Sequence, residues 1–353
     1  MTPRRIAVVT DAWHPQVNGV VRTLATTATE LRAMGHQVLV IGPDWFRTVP
    51  CPTYPEIRLA LMPARVLARL LAAFRPDSLH VATEGPLGWA ARRWARRRRV
   101  SFTTSLHTRF PDYLAARFGI PAAGPWWWLR RFHAPATATM VATESLRDEL
   151  ARRGFQHLRL WPRGVDTAAF RPEPRREWGL PRPVLLCVGR VAPEKNLGAF
   201  LDMDVPGSKV VVGDGPLLAR LRRDYPSVTF TGALSGAALA EAYAGADAFV
   251  FPSRTDTFGL VLLESMACGT PVAAYPVPGP RDVVPEVAGA LHEDLATATR
   301  MALTRDRAAC RAHAEHHGWD TCARTFLDHL VPLSGLGAPR RATGTLRRTR
   351  SPV

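Results

Sequence analysis

Residues 249–280 read FVFPSRTDTFGLVLLESMACGTPVAAYPVPGP, and this segment indicates the fold class most clearly. The apolar run 248–251 predicts a buried strand, and the apolar run 258–267, after a polar turn at 253–257, predicts a helix. Thr257 is a residue type that caps helix N-termini, and Gly269 stands where a left-handed residue ends a helix. A buried strand followed directly by a helix is the repeating unit of parallel α/β sheets.

Two carboxylates flank the start of this predicted helix. Asp256 precedes the helix, and Glu264 lies two turns into it. Between them are the backbone N–H groups of Phe258, Gly259 and Leu260. The first N–H groups of a helix have no partner within it, and the helix dipole favours negative charge there. The element therefore offers donors for a diphosphate and acceptors for sugar hydroxyls, as the binding of a nucleotide-sugar requires.

Strand and helix patterns alternate along all 353 residues, which is enough chain for two α/β domains. A first series of predicted strands lies at 6–10, 38–41, 79–82, 102–105 and 139–142. A second series begins at Val184 and continues at 209–212, 228–231 and 248–251. The link 171–183 is rich in proline and charge, so we place the domain boundary there, between residues 172 and 173.

Composition limits the class of protein. No window approaches the roughly 18 apolar residues that span a bilayer. The first strand starts at residue 6, which leaves no room for a signal peptide. The five cysteines have no metal-ligand spacing, and Cys187 and Cys268 lie in apolar segments, as buried thiols of a reduced compartment do. We therefore expect a cytoplasmic protein.

The stretch 249–280 resembles the donor site of the retaining glycosyltransferases of family 4 (glycosyl transferases group 1). That family has two glutamates separated by seven residues. Here Asp256 stands at the first position and Glu264 at the second, and the tail Gly269-Thr270-Pro271-Val272 matches the strand that follows. The resemblance implies the GT-B fold: an α/β chain of two Rossmann-like domains whose parallel sheets face each other across a cleft.

The resemblance also assigns roles to the domains. It implies that residues 1–172 bind the acceptor and that residues 173–310 bind the nucleotide-sugar. Residues 311–335 would form a C-terminal helix that crosses back to the N-terminal domain. The basic tail 336–353, rich in Thr, Pro and Gly, is predicted to be disordered.

Glycines and positive side chains follow the strands of the second series. The carboxyl ends of parallel strands face the ligand crevice of such folds. The resemblance implies that Arg190 and Lys195 neutralise the donor phosphates, and Lys195 is one of only two lysines in the chain. A solvated loop, or a plain strand-to-helix turn at the glycines, is the structural alternative. The other candidate substrate-binding residues here are Gly189, Gly213, Gly215 and Thr231.

Two loops of the N-terminal half carry further candidates. The resemblance implies that Asn18, Gly19 and Val20, in the first strand-to-helix loop, lie under the reacting sugar and the acceptor. It also implies that His107, after the strand at 102–105, contacts the donor sugar. A connecting loop and a structural histidine are the alternatives. The nearby polar candidates are Arg109 and Tyr113.

The predicted function is a retaining, metal-independent transfer of a hexosyl unit from a UDP- or GDP-sugar to a lipid or glycan acceptor. No metal and no cofactor are expected, because the nucleotide-sugar is a substrate and no DxD-type pair stands in a suitable place. A nucleotide-sugar epimerase, a phosphorylase and a non-catalytic membrane- or RNA-binding protein are the alternatives. The donor sugar and the acceptor stay open. The expected catalytic residues are His107, Arg190, Lys195, Asp256 and Glu264.

Positive charge suggests an anionic partner. The formal net charge is +16, and residues 92–99 read RRWARRRR. Trp126-Trp127-Trp128 stand close to Arg130 and Arg131, a combination that suits a lipid headgroup interface. Each feature also has an explanation without a membrane. Residues 92–99 would be the solvated end of a helix, and the tryptophans would pack in the core. The apolar segment 59–74, which could lie on a membrane, would be a docked core helix. We expect an anionic membrane surface as partner, at the inner face of the plasma membrane, and no nucleic acid.

Overall fold

The computed structural model describes residues 2–16, 18–51, 54–111 and 121–333, with only the backbone described at 54–56. Tyr113 and the tail 336–353, both subjects of sequence predictions, lie outside these residues. By its contacts the chain divides into two compact units. The first contains the residues up to Ala142, Arg147–Trp161 and the chain from Cys322 onward, and the second contains Thr143–Leu146 and Pro162–Thr321.

The first unit contains a six-stranded parallel sheet in the order β2-β1-β5-β6-β7-β8. A separate antiparallel hairpin, β3–β4, follows β2 and was not predicted. The strands of this unit are β1 Arg5–Val9, β2 Gln37–Ile41, β3 Thr48–Cys51, β4 Tyr54–Ala60, β5 Ser78–Val81, β6 Thr103–Leu106, β7 Ala138–Val141 and β8 Leu158–Leu160.

The second unit contains another six-stranded parallel sheet, in the order β11-β10-β9-β12-β13-β14. Its strands are β9 Val184–Val188, β10 Ser208–Val212, β11 Thr229–Gly232, β12 Ala248–Phe251, β13 Val272–Ala274 and β14 Gly289–Leu291. Two Rossmann-like α/β units with parallel sheets confirm the predicted fold class.

The described helices follow the strands in the alternating order that parallel sheets require. They are α1 Gly19–Ala33, α2 Ala64–Phe74, α3 Pro86–Arg98, α4 Ala123–His133, α5 Glu144–Arg152, α6 Leu197–Leu201, α7 Leu218–Asp224, α8 Gly236–Gly245, α9 Leu260–Ala267, α10 Pro280–Val283, α11 Leu295–Ala302, α12 Arg307–Glu315 and α13 Trp319–His329. Short 3-10 turns lie at Pro43–Trp45, Pro193–Lys195 and Glu286–Ala288.

Apolar strands buried on both faces form the core of each unit. In the first unit, β1 and β5 pack against the apolar faces of α2 and α3. Helix α2 buries Leu67, Leu70 and Leu71, which makes the apolar segment at 59–74 a strand end followed by a docked core helix. In the second unit, β9, β12 and β13 pack against α6 and α11.

The buried cysteines agree with the sequence interpretation. Cys187 and Cys268 are free thiols in the core, as are Cys310 and Cys322. Burial raises the pKa of Cys187 and of Cys268 to about 12, because the charged thiolate would lose its hydration there.

The C-terminal part contains two helices, α12 and α13, where the sequence predicted one helix within 311–335. The break between α12 and α13 lies at residues 316–318. There the His317 carbonyl oxygen accepts a hydrogen bond from Val165 N at 2.8 Å, and Gly318 forms an isolated β-bridge with Val165. Most of α13 then belongs to the first unit, where Trp161 Nε1 donates to the Cys322 carbonyl oxygen at 3.2 Å. Phe326 packs on Trp161 with 4.8 Å between the ring centroids.

Candidate functional site

The sheet of the second unit has a point at which the direction of chain progression reverses. From β9 the chain proceeds outward to β10 and β11, then returns to β12 on the other side of β9 and continues to β13 and β14. The loops after β9 and β12 therefore leave the same edge of the sheet in opposite directions. In open α/β sheets the crevice at such a point is where ligands bind.

Lys195 and Asp256 meet at this point. Lys195 lies in the loop after β9 and Asp256 in the loop after β12. The Lys195 Nζ atom is 2.7 Å from Asp256 Oδ1 and 2.9 Å from Oδ2, so the ammonium bridges both carboxylate oxygens. The side chains are 26% and 19% exposed, which leaves the pair accessible to a ligand while it is partly shielded from water. The structure brings together two predicted site residues that are 61 positions apart in sequence.

The two loops are held against each other by further hydrogen bonds. Asn196 adopts a left-handed conformation with φ of 52°, and its Nδ2 donates to the Pro252 carbonyl oxygen at 3.1 Å. Thr255 Oγ1 donates to the Glu194 carbonyl oxygen at 3.4 Å. These bonds fix the backbone on both sides of the Lys195–Asp256 pair, so the position of the ammonium is set by the fold.

Two of the predicted glycines, Gly213 and Gly215, have a packing reason to be glycines. A Cβ on Gly213 would lie 1.8 Å from the Gly189 carbonyl oxygen, and a Cβ on Gly215 would lie 2.4 Å from that of Val191. Gly213 and Gly215 also have φ of 149° and 157°, which side chains disfavour. The loops after β9 and β10 thus touch backbone to backbone. Arg190 follows Gly189 and is exposed at the same edge of the sheet.

The start of helix α9 corrects the prediction that the helix begins at Phe258 with Thr257 as its cap. The helix begins at Leu260, and its N-cap is Gly259 with φ of 82°. Glycine adopts this left-handed conformation without steric cost, and the conformation breaks the helical path before Leu260. Phe258 precedes the helix and is buried. The C-terminal prediction is confirmed, because Gly269 follows the C-cap residue with φ of 72°.

Glu264 is buried within α9. The residue is 3% exposed, and its Oε2 accepts a hydrogen bond from the Tyr243 hydroxyl of α8 at 3.1 Å. Tyr243 is itself fully buried and packs against Phe249 of β12. A buried carboxylate needs hydrogen-bond donors, since burial removes the water that would otherwise solvate it. Thr231, the remaining candidate of this unit, lies one residue before the end of β11 and donates its hydroxyl to the Gly232 carbonyl oxygen at 2.8 Å.

In the first unit, the predicted loop 18–20 begins helix α1. Asn18 is its N-cap, and Asn18 Oδ1 accepts hydrogen bonds from Val20 N and Val21 N, each at 3.0 Å. Gly19 is the first residue of the helix and is exposed. The asparagine thus has a structural task, which accounts for its residue type without a ligand.

His107 is the outer end of a hydrogen-bonded chain that runs into the core. Its Nε2 lies 2.8 Å from Ser105 Oγ, which lies 3.0 Å from Nε2 of the buried His80. His80 Nδ1 continues the chain to Thr103 Oγ1 at 2.9 Å. The alternation of β6 places Thr103 and Ser105 on the face toward His80, so the sheet itself sets the orientation of the His107 ring. Arg109, the next candidate, pairs with Glu149 at 3.0 Å.

Asp11 is a buried carboxylate that the sequence interpretation did not single out. It follows β1 at the point where the first sheet reverses its chain progression, between β1 and β5. Its carboxylate accepts hydrogen bonds from the backbone N–H groups of Leu87 and Gly88 at 2.8 and 3.2 Å, and from the Thr83 hydroxyl at 2.9 Å. It therefore caps α3, whose own N-cap is Gly85 and offers no side chain. Burial raises the pKa of Asp11 to about 6, although these hydrogen bonds oppose the shift.

The raised pKa of Asp11 predicts a pH-dependent stability. Between about pH 4 and 6 the folded chain binds more protons at Asp11 than the unfolded chain, whose pKa is near 3.8. This contribution to the free energy of unfolding is fully present below pH 3.8 and is lost as the pH rises through about 6, by up to about 3 kcal/mol. Asp11→Asn has no carboxyl group that titrates at this position. The free energy of unfolding of the variant minus that of wild type, measured by urea denaturation, should therefore be larger at pH 7.5 than at pH 4.5.

Asp77→Asn is the matched control within the same unit. The Arg5 guanidinium holds the pKa of Asp77 below its ordinary value, so its contribution has the opposite sign and is lost as the pH falls through that lowered pKa. The difference between Asp77→Asn and wild type should therefore stay constant between pH 4.5 and 7.5. A constant difference for Asp11→Asn as well would contradict the assignment.

Within the described residues, no three His, Cys, Asp or Glu side chains lie together as ligands of a metal ion would. Within the same ranges, none of the helices combines the length and the apolar character needed to cross a bilayer.

Both units are similar to known glycosyltransferases. Residues 17–169 match the model of glycosyltransferase family 4, and residues 182–305 match that of the glycosyl transferases group 1. The chain is 34% identical over 307 residues to a GDP-mannose-dependent alpha-mannosyltransferase of Mycobacterium tuberculosis, which covers 79% of this chain and 81% of the relative. It is 30% identical to an alpha-monoglucosyldiacylglycerol synthase of Streptococcus pneumoniae, over 85% of this chain and 78% of that one.

A solved structure shows the same fold. Sucrose-phosphate synthase from Thermosynechococcus elongatus aligns with a TM-score of 0.75 at 21% identity, over 92% of this chain and 98% of that one. Together with the two family models and the mannosyltransferase relative, this likeness accounts for both Rossmann-like units. The chain belongs to glycosyltransferase family 4 and is a glycosyltransferase of the GT-B fold.

Proposed function

We propose that the chain transfers a hexosyl unit from a nucleotide-diphosphate sugar to a lipid or glycan acceptor, with retention of configuration and without a metal ion. The observation that carries the proposal is the Lys195–Asp256 pair at the reversal point of the second sheet. A half-buried ammonium held at a ligand crevice is suited to a diphosphate, because positive charge there stabilises the charge that develops on the leaving group.

The leaving group would be shared between Lys195 and Arg190. Lys195 is already positioned by Asp256, so the ammonium needs little reorganisation when the phosphates arrive. Arg190 is exposed at the same edge of the sheet and can reach a phosphate oxygen from solvent. With these two charges in place, the residues themselves supply the neutralisation that a metal ion supplies elsewhere. This is why we propose a metal-independent reaction and no cofactor.

In the proposed reaction the bond between C1 of the sugar and the β-phosphate oxygen breaks. The acceptor oxygen forms its bond to C1 on the same face, and its proton passes to an oxygen of the departing phosphate. Asp256 would contact hydroxyls of the transferred sugar, while Glu264 would hold the ribose. The Gly189, Gly213 and Gly215 backbones, Thr231 and the turn Phe258-Gly259-Leu260 would line the nucleotide.

Donor and acceptor are proposed by analogy with the relatives. The name of the mycobacterial relative makes GDP-mannose the first donor to test, and UDP-glucose and UDP-glucuronate come next. The name of the streptococcal relative supports a glycolipid product and an acceptor taken from a membrane. The acceptor would lie on the first unit, near Asn18, Gly19, Val20, His107 and Arg109, and the enzyme would work at the inner face of the plasma membrane.

The test is product analysis by mass spectrometry. The full chain is incubated in EDTA with each sugar nucleotide and a membrane lipid extract. We expect a mass increase of one hexosyl unit on a lipid or glycan, release of the nucleoside diphosphate, and an α linkage by NMR. A change of the sugar nucleotide without an acceptor would indicate an epimerase, and a requirement for free phosphate would indicate a phosphorylase. Either result overturns the proposal.

A further inference from the structure

A groove of about 600 Å³ lies on the first unit, between the start of α2 and one face of α3. Its lining combines apolar and positive side chains and contains no acidic residue. The residues on which the inference depends are Pro63, Pro86, Trp89, Arg93, Arg96 and Arg97.

Three arginines of the groove are available to a ligand. Arg93, Arg96 and Arg97 are exposed and lie on one face of α3, at spacings of three and four residues. No described carboxylate pairs with any of them. Arg92 is different, because it is buried and donates to the Arg131 and Phe132 carbonyl oxygens at 2.8 Å each. The run at 92–99 is therefore one structural arginine followed by a cluster of solvated ones.

Exposed apolar side chains border the same groove. Met62 directly precedes the lining residue Pro63, is 91% exposed, and has φ of 46°. A left-handed conformation is unfavourable for a side chain of this kind. Leu61 beside it is 49% exposed. The turn before α2 thus holds two apolar side chains in water, next to three positive ones.

The aromatic side of the groove continues onto α4. Trp89, a lining residue, packs on Trp128 with 5.2 Å between the ring centroids. Trp128 is 37% exposed, and its neighbour Trp127 is 54% exposed with the Arg131 guanidinium 5.6 Å from its ring centroid. By contrast Trp126 is buried against Phe155. Two of the three consecutive tryptophans therefore face water on helix α4, which packs directly against α3.

We infer that this face, formed by residues 61–64, the exposed side of α3 and Trp127–Trp128, docks on an anionic phospholipid bilayer, with a lipid headgroup phosphate in the groove. Guanidinium groups suit phosphate oxygens, and tryptophan with methionine and leucine suits the boundary between headgroups and acyl chains. A nucleic acid would use the charges but would leave Leu61 and Met62 in water. This docking rests on the proposed function in one respect, because an acceptor taken from a membrane is what would make bilayer binding useful to the enzyme.

The test is co-sedimentation of the full chain with vesicles, without donor or acceptor. One set is phosphatidylcholine alone, and the other contains one part phosphatidylglycerol to two parts phosphatidylcholine. We expect binding to the anionic set only, weakened by salt. The double variant Arg93→Glu with Arg97→Glu should lower the vesicle partition coefficient at least about tenfold, since each basic residue near the surface contributes about fivefold. Met62→Ser should lower it a few-fold.

The matched control is Arg220→Glu with Arg223→Glu on α7 of the second unit. Both residues are exposed, and the variant changes the net charge by the same amount. It should bind the anionic vesicles nearly as wild type does. Equal losses in the two double variants would overturn the inference, because net charge or the basic tail would then carry the adsorption. Unchanged binding of Met62→Ser, together with equal competition by RNA, would also overturn it in favour of a general polyanion surface.

Failure of this experiment is distinguishable from failure of the proposed function. Vesicle binding is measured without sugar transfer, and transfer can be measured on acceptors dispersed in detergent. Where the double variant melts below wild type, Arg96→Gln alone replaces it, with an expected loss of about fivefold.

Discussion

Lys195→Ala should lower kcat by about two to three orders of magnitude while the protein stays folded. Removing one preorganised group that stabilises developing charge costs about that much in enzymes. The fold should tolerate the change, because Lys195 is 26% exposed and its ammonium pairs with Asp256 in a loop rather than with a group in the core. The measurement is initial-rate kinetics with the donor that the product analysis identifies, together with a thermal melt.

Two further variants separate charge from geometry at this position. Lys195→Arg keeps a positive charge and should retain part of the activity. Lys209→Ala removes the other lysine, which lies near the start of β10 and donates its ammonium to the Leu201 and Met203 carbonyl oxygens. It should leave kcat within a few-fold of wild type. Near-normal turnover of Lys195→Ala would refute the assignment of this residue to the donor phosphates.

Glu264→Ala should abolish turnover, and Glu264→Gln should lower kcat/KM for the donor by about 10- to 100-fold. Hydrogen bonds from hydroxyls to a charged carboxylate contribute about 1.5–3 kcal/mol, and the amide cannot replace that charge. The glutamine can still accept the bond from the Tyr243 hydroxyl, so this variant should keep its stability. The alanine variant removes this hydrogen bond from a buried hydroxyl and should also lose about 1–3 kcal/mol of unfolding free energy.

Tyr243→Phe is the control for the buried contact. It removes the hydrogen bond to Glu264 Oε2 and keeps the carboxylate, so its effect should fall on stability more than on donor affinity. Equal losses of activity in Tyr243→Phe and Glu264→Gln, in step with their losses of stability, would mean that Glu264 is a structural residue. In that case the ribose contact assigned to it would be wrong.

The strands could be predicted from the sequence because buried parallel strands are short runs of apolar residues. Val184–Val188 and Ala248–Phe251 show this most clearly, and the two-unit α/β fold follows from their alternation with helices. The hairpin β3–β4 was missed because β3 contains Pro50, which is unusual in a strand. The start of α9 was missed because a glycine at a left-handed position cannot be told from one inside a helix by residue type alone.

The candidate site was predictable only in part, for a similar reason. The sequence motif indicated Lys195 and Asp256 separately, and their contact depends on the strand order, which places β9 beside β12. Asp11 was missed because its partners, Leu87 and Gly88, belong to a helix after a different strand. The sequence did contain a signal for it. Helix α3 begins at Pro86 after Gly85, which has no capping side chain, so its first N–H groups needed a hydrogen-bond acceptor from elsewhere in the chain.

A crystal structure of the full chain with the nucleoside diphosphate of its donor would show directly whether Lys195 binds the donor phosphates. Lys195 Nζ should lie within hydrogen-bond distance of a phosphate oxygen, at the edge of the sheet where β9 and β12 end, with Arg190 turned toward the same diphosphate. A diphosphate bound elsewhere on the chain, with the Lys195–Asp256 pair intact and untouched, would show that Lys195 does not bind the donor phosphates.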